Sequence, residues 1–212
     1  MDHTFHHQET HMVQTPSMML PLGTKAPEFS LFDPVTGQTR SLAELNAPAT
    51  VIMFICNHCP FVIHVRDEIT RLARDYAAKG VAFVAINSNS VDTHPQDGPE
   101  HMAALVREMG WNFPFLFDAT QNVAKAYHAA CTPDFFVFDG DKKLAYRGQL
   151  DDSRPSNGRP VTGIDLRAAI DAVLTGRPAT AEQRPSIGCN IKWAPGNEPD
   201  YFTTFIAAKK TG

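Results

Sequence analysis

The chain has 212 residues, 43% of them hydrophobic and 20% charged, enough to bury one good core with some length to spare. A net charge of −4 leaves no electrostatic footprint for nucleic acid or an anionic membrane, and no stretch approaches the roughly 18 apolar residues of a membrane span. Four cysteines are too few for a disulfide scaffold, so the thiols are expected to be functional and the protein cytoplasmic.

Residues 1–22 are polar and without periodicity, and they lack the basic start and apolar centre of a secretory signal. They read as a flexible arm, with His3, His6, His7 and His11 as a weaker candidate for holding a metal ion. From Gly23 the pattern changes. Phe29 to Phe32 reads as a short strand, Asp33, Pro34 and Gly37 as turn signals, and Ser41 to Leu45 as one helical turn. Thr50 to Ile55 is a continuous apolar run of the kind buried on both faces of a sheet. The next helix starts at Pro60, a favoured first residue because its missing N–H is not needed there. Phe61, Val65, Ile69, Leu72 and Tyr76 form its apolar stripe, Arg66, Asp67, Glu68, Arg71 and Arg74 its wet side, and Gly80 its stop.

Between that strand and that helix lies Cys56-Asn57-His58-Cys59-Pro60. A thiol at a helix start faces unpaired N–H groups and the positive end of the helix dipole, which favours the thiolate. Two thiols so close can also join in a reversible disulfide.

Val81 to Ile86 is the next buried strand, brought parallel to the first by a right-handed crossover. A polar loop, Asn87 to Gly98, precedes a helix over Pro99 to Met109, with Met102, Leu105, Val106 and Met109 inward. Phe113 to Phe117 and a helical Asn122 to His128 lead to Cys131-Thr132-Pro133. Phe135 to Phe138 and Leu144 to Arg147 make a hairpin about Asp139-Gly140-Asp141, and Asp165 to Leu174 is a closing helix. This order predicts a mixed sheet between helices.

CNHCP at a strand-to-helix turn and CTP before the last hairpin, in that order and separation, resemble the thioredoxin superfamily. The segment from Gly23-Thr24-Lys25-Ala26-Pro27-Glu28-Phe29 to Leu45 is similar to the entry of the peroxiredoxin and alkyl hydroperoxide reductase group. The resemblance implies an α/β, thioredoxin-like fold: a mixed central sheet flanked by helices, a peroxiredoxin-type strand and turn extension at the N-terminus, and a C-terminal arm. The expected division is an arm over 1–22, the redoxin domain over 23–176, and an extension over 177–212 that packs on it. The resemblance further implies an enzyme cycling Cys56 and Cys59 between dithiol and disulfide, with Pro133 cis against the pair and Thr132 offering its backbone to an extended substrate segment. Its partners would be a protein or small-molecule disulfide and a thioredoxin- or glutathione-type thiol donor, with no nucleic acid or membrane and no cofactor; a homodimer is left open.

Which cysteine attacks also stays open. Thioredoxins use the first cysteine of the pair, which would be Cys56, yet Pro60 as first helical residue makes Cys59 the N-cap, where the attacking cysteine of the family lies. A peroxidase activity is the alternative, but Pro133 falls where peroxiredoxins carry a peroxide-polarising arginine, and Arg147 or Arg154 would have to substitute from elsewhere. Copper delivery, with Cys56, His58 and Cys59 as soft ligands and His64 or His128 as a distant one, is a further class, as is a non-enzymatic sensor. His58 is expected to favour the thiolate. Cys131 is either a third redox thiol or a small buried hydrophobe, and Cys189 either a resolving thiol or, as favoured here, a packing residue.

Overall fold

The computed structural model describes residues 14–211, so the histidines of the first residues lie outside the described region. Its main sheet has seven strands in the order β3-β2-β6-β5-β4-β8-β9. These are β2 (Ser30–Asp33), β3 (Gln38–Ser41), β4 (Ala49–Phe54), β5 (Ala82–Asn87), β6 (Phe115–Phe117), β8 (Asp134–Asp139) and β9 (Leu144–Gly148). β4, β5 and β6 run parallel, while β8 returns antiparallel to β4 and β9 antiparallel to β8. The strand and turn extension, β2 and β3, joins the sheet edge through Phe32 opposite Phe117.

The central strand buries every residue, because its alternate side chains enter two different layers. Val51 and Met53 pack with Val62, Ile69 and Leu72 of α1 (Pro60–Ala77), Met102 of α2 (Pro99–Met109) and Ile170 of α4 (Ile164–Leu174). Ile52 and Phe54 face the other way, toward Val123 and Ala124 of α3 (Asn122–Ala126), Trp193, and Phe202 of α5 (Asp200–Thr211). No helix of the described residues is long and apolar enough to cross a membrane.

A second sheet of three short strands has the order β1-β10-β7, with β1 (Gln14–Pro16), β7 (Cys131–Thr132) and β10 (Ile187–Asn190). Residues 14–16, expected within a flexible arm, are therefore a paired strand, and Thr15 is fully buried. Glu68 also departs from expectation. Assigned to the wet face, it is 3% exposed and holds two guanidiniums, Arg71 at 2.7 Å and Arg167 of α4 at 2.7 Å, so it ties α1 to α4. Phe61, expected on the apolar stripe, is only half-buried; Val62 takes the inward position. Helix α3 stops at Ala126, short of His128, whose φ of 51° lies in the left-handed region where a helix cannot continue.

Candidate active site

Strand β4 ends at Phe54 and α1 begins at Pro60, which leaves Ile55 to Cys59 as the crossing between them. Cys59 is the N-cap, with extended backbone (φ −67°, ψ 122°), and its carbonyl accepts hydrogen bonds from the Val62 and Ile63 N–H groups at 2.9 and 3.0 Å. Cys56 remains close to the sheet. Thr132, across the crossing, precedes a cis peptide bond to Pro133, as expected. Cys59 Sγ lies 3.2 Å from the Thr132 carbonyl oxygen and Cys56 Sγ lies 3.5 Å from the Thr132 hydroxyl. Thus Cys56, Cys59, Thr132 and Pro133, distant in sequence, share one centre.

Two further thiols are near. Strand β10 pairs with β7 so that Cys189 stands opposite Thr132, which places both side chains on one face. The neighbouring Cys189 and Cys56 thiols, in that order, hold the Cys59 thiol well below its usual range against the opposing effect of burial. The Thr132 side chain and the Val62 N–H act in the same direction. The 3.2 Å approach to the Thr132 carbonyl acts the other way, since only the protonated thiol donates to it. The net direction is downward.

The other cysteines are pushed up. Burial raises Cys56 most, with the Cys59 contact and the Asp97 charge adding to it; the Cys59 contact raises Cys189 most, followed by burial. Of these three thiols Cys59 alone is shifted toward the thiolate. Cys131 is fully buried and its thiol is raised by burial; Sγ lies against the Pro133 and Ser186 carbonyls, at 3.8 and 4.0 Å. No disulfide joins any of the four.

The crossing is held from the loop after β5. The Asp97 carboxylate, fully buried, accepts the Asn57 N–H at 2.8 Å and the His58 N–H at 3.3 Å on one oxygen. Its other oxygen takes the Asn89 amide at 2.8 Å and His58 Nδ1 at 2.6 Å. Asn87 in turn donates to the Asp97 carbonyl at 2.6 Å. Burial pushes the Asp97 carboxyl up, but His58, Asn89 and the Asn57 N–H more than offset it and hold it below the usual value. Asn87 and Asn89 are therefore buried struts, not the solvated connection that the polar loop suggests.

His58 stacks on His94 at 4.9 Å and its Nδ1 stands 3.9 Å from Cys56 Sγ. Because the same nitrogen faces the thiol and the carboxylate, His58 does not relay a proton from Cys56 to Asp97. Cys56, His58 and Asp97 are close enough to surround a metal ion. All four lone-pair directions of the carboxylate already hold protein donors, however, so an ion there would have to displace His58 or Asn89.

The other candidate ligands lie elsewhere. His64 Nε2 bonds Ser153 Oγ at 2.7 Å, and His128 stacks on Tyr201 at 5.2 Å. Neither arginine stands in for the peroxide-polarising one. Arg147 is fully buried in an ion pair with Asp134 at 3.4 Å and donates to the His128 carbonyl at 2.7 Å. Arg154 donates to the Asp151 and Ser153 carbonyls and to Gln149. In the loop from Asp151, the buried Asp151 carboxylate receives the N–H groups of Thr162 and Gly163 at the start of α4.

Two solved structures match almost the full domain. An uncharacterized conserved protein from Geobacillus kaustophilus is 58% identical, with a TM-score of 0.86 over 87% of this chain and 98% of its own. A hypothetical protein from Sinorhizobium meliloti is 51% identical, with a TM-score of 0.84 over 86% of this chain and 100% of its own. A thiol:disulfide interchange protein of the thioredoxin family from Chlorobium tepidum is 20% identical and has a TM-score of 0.56 over 74% of this chain and 99% of its own, a likeness of fold. No curated protein matches the sequence. The model of the AhpC/TSA family matches residues 22–147, from the first extension strands through the cysteine crossing to the final hairpin. With its mixed sheet, its thiols at a strand-to-helix crossing and its cis proline facing them, the chain belongs to the AhpC/TSA family on a thioredoxin fold.

Proposed function

We propose that the protein is a thiol–disulfide oxidoreductase in which the Cys59 thiolate attacks and Cys56 resolves. One observation carries the reading: Cys59, not Cys56, is the helix N-cap, and its sulfur lies against Thr132 of the cis-proline turn. The Cys59 sulfur attacks one sulfur of a substrate disulfide, forming a mixed disulfide and expelling a thiolate. Cys56 then gives its proton to the second leaving thiolate and closes on Cys59, so that two protein thiols are oxidised and one disulfide is reduced to two thiols. The high proton affinity of Cys56 suits the second step, in which it is held in reserve until Cys59 is no longer charged. A thioredoxin- or glutathione-type thiol would restore the dithiol.

Both thiols that touch Cys59 must be removed to stop the cycle midway. In C56S/C189S, labelled glutathione disulfide is expected to leave one stable glutathione on Cys59, and C59S is expected to take up none and to lose disulfide reduction altogether. Capture by Cys56 in C59S instead would reverse the roles. Peroxide consumption by the same variants tests the peroxidase alternative, for which the absence of a guanidinium beside Cys59 among its described hydrogen bonds predicts slow turnover.

A further inference from the structure

Cys59, Cys56 and Cys189 are at most 2% exposed, and the cover over them is made by the chain itself. Strand β10 is part of it, through Cys189. The carbonyl that Cys59 touches belongs to Thr132, so any extended segment pairing with Thr132 places the side chain opposite that residue next to the Cys59 sulfur. In this chain the segment is β10 and the side chain is Cys189. Its far edge is paired with β1, Gln14 opposite Cys189 and Thr15 opposite Gly188, so the strand is held on both sides.

The docking is closer than an ordinary strand allows. A Cβ on Gly188 would stand 2.0 Å from the Thr132 carbonyl oxygen, 2.7 Å from its carbon and 3.2 Å from the Pro133 nitrogen. Only a residue without a side chain lets β10 lie against the cis-proline turn, and the obstructing atoms are backbone, which cannot swing aside. Cys189 beside that glycine shares a core cluster with Cys56 and Cys59.

We infer that β10 is a built-in substrate strand and that Cys189 is a second resolving thiol, which closes on Cys59 in an internal Cys59–Cys189 disulfide. This rests on Cys59 as the nucleophile of the proposed oxidoreductase. After Cys59 has formed a mixed disulfide with a substrate, Cys189 loses its proton to the departing substrate thiolate and its sulfur attacks that of Cys59. The bond between Cys59 and the substrate breaks as the Cys59–Cys189 bond forms; two protein thiols are oxidised and the substrate disulfide is reduced. Cys56 can then take over Cys59 by attacking its sulfur and returning Cys189 to the thiol. While β10 is docked, an extended polypeptide is kept from the Thr132 edge.

The test uses the full chain with one equivalent of glutathione disulfide, an acid quench, alkylation, and mapping of unreduced peptides. C56S is expected to yield a Cys59–Cys189 crosslinked peptide and to release both glutathione moieties, whereas C56S/C189S keeps one on Cys59. C56S/G188V, checked for its fold by circular dichroism, is expected to lose the crosslink and keep the adduct; if it does not fold, the first two variants decide alone. An adduct on Cys59 that persists in C56S with Cys189 alkylated would overturn the inference and leave the proposed function standing. No adduct on Cys59 in any variant would overturn both.

Discussion

At the scale of single residues, the placing of Cys59 follows from Pro60, since a proline in the first helical position makes its predecessor the cap. Asp97 had no such signal. A lone carboxylate in a polar loop looks the same in sequence whether solvated or buried, and it meets Asn57 from 40 positions away. Its four hydrogen bonds fix the backbone on which both cysteines of the motif ride. Asp97→Asn is expected to cost about 1.5–3 kcal/mol at neutral pH, because one oxygen becomes a donor facing donors. The pH dependence has a definite sign. Since the folded carboxyl sits below its ordinary value of about 3.9, its stabilisation is present above that value and fades as pH falls through the folded one, so the wild-type advantage over Asp97→Asn should shrink as pH falls below about 4. Urea unfolding of both proteins across that range checks the slope; a constant difference would contradict it.

At the scale of elements, β4, β5 and β8 were legible because long apolar runs buried on both faces leave few alternatives, and α2 matches its expected bounds from Pro99 to Met109. β1, β7 and β10 were not legible. Two to four residues each and partly polar, they are strands only because they pair, and pairing across such separations leaves no local periodicity. The same limit hid the role of Arg147 on β9, whose charge is buried entirely beside Asp134 of β8, while Ser17 just beyond β1 donates to the same carboxylate at 2.5 Å. Burial raises the Asp134 carboxyl, an effect that Arg147 and then Ser17 oppose. Arg147→Met should therefore destabilise by about 3–5 kcal/mol, leaving an unpaired buried charge, while Arg147→Met with Asp134→Leu should recover most of the loss. Denaturant midpoints of the two variants decide this; a double variant no better than the single one would mean that packing, not charge, sets the cost.

At the scale of the whole molecule, the chain beyond Gly176 is part of the core. Ile191 and Trp193 sit in the layer under Ile52 and Phe54, and Phe202 of α5 packs on Trp193 with rings 6.3 Å apart. The segment that brings Cys189 to Cys59 is thus anchored by apolar contacts away from the thiols. Trp193→Ala is expected to cost about 3–5 kcal/mol in urea unfolding. It should also speed alkylation of Cys59 relative to wild type under native conditions, since loosening the anchor uncovers the sulfur; unchanged alkylation would separate the anchor from the cover. The glycine that seats β10 has a consequence in time as well as in space. Synthesis runs from the N-terminus, so α1, Cys56, Cys59 and Thr132 all leave the ribosome before Gly188 and Cys189 do. The thiol crossing and the turn it faces are therefore made before the strand that docks on them.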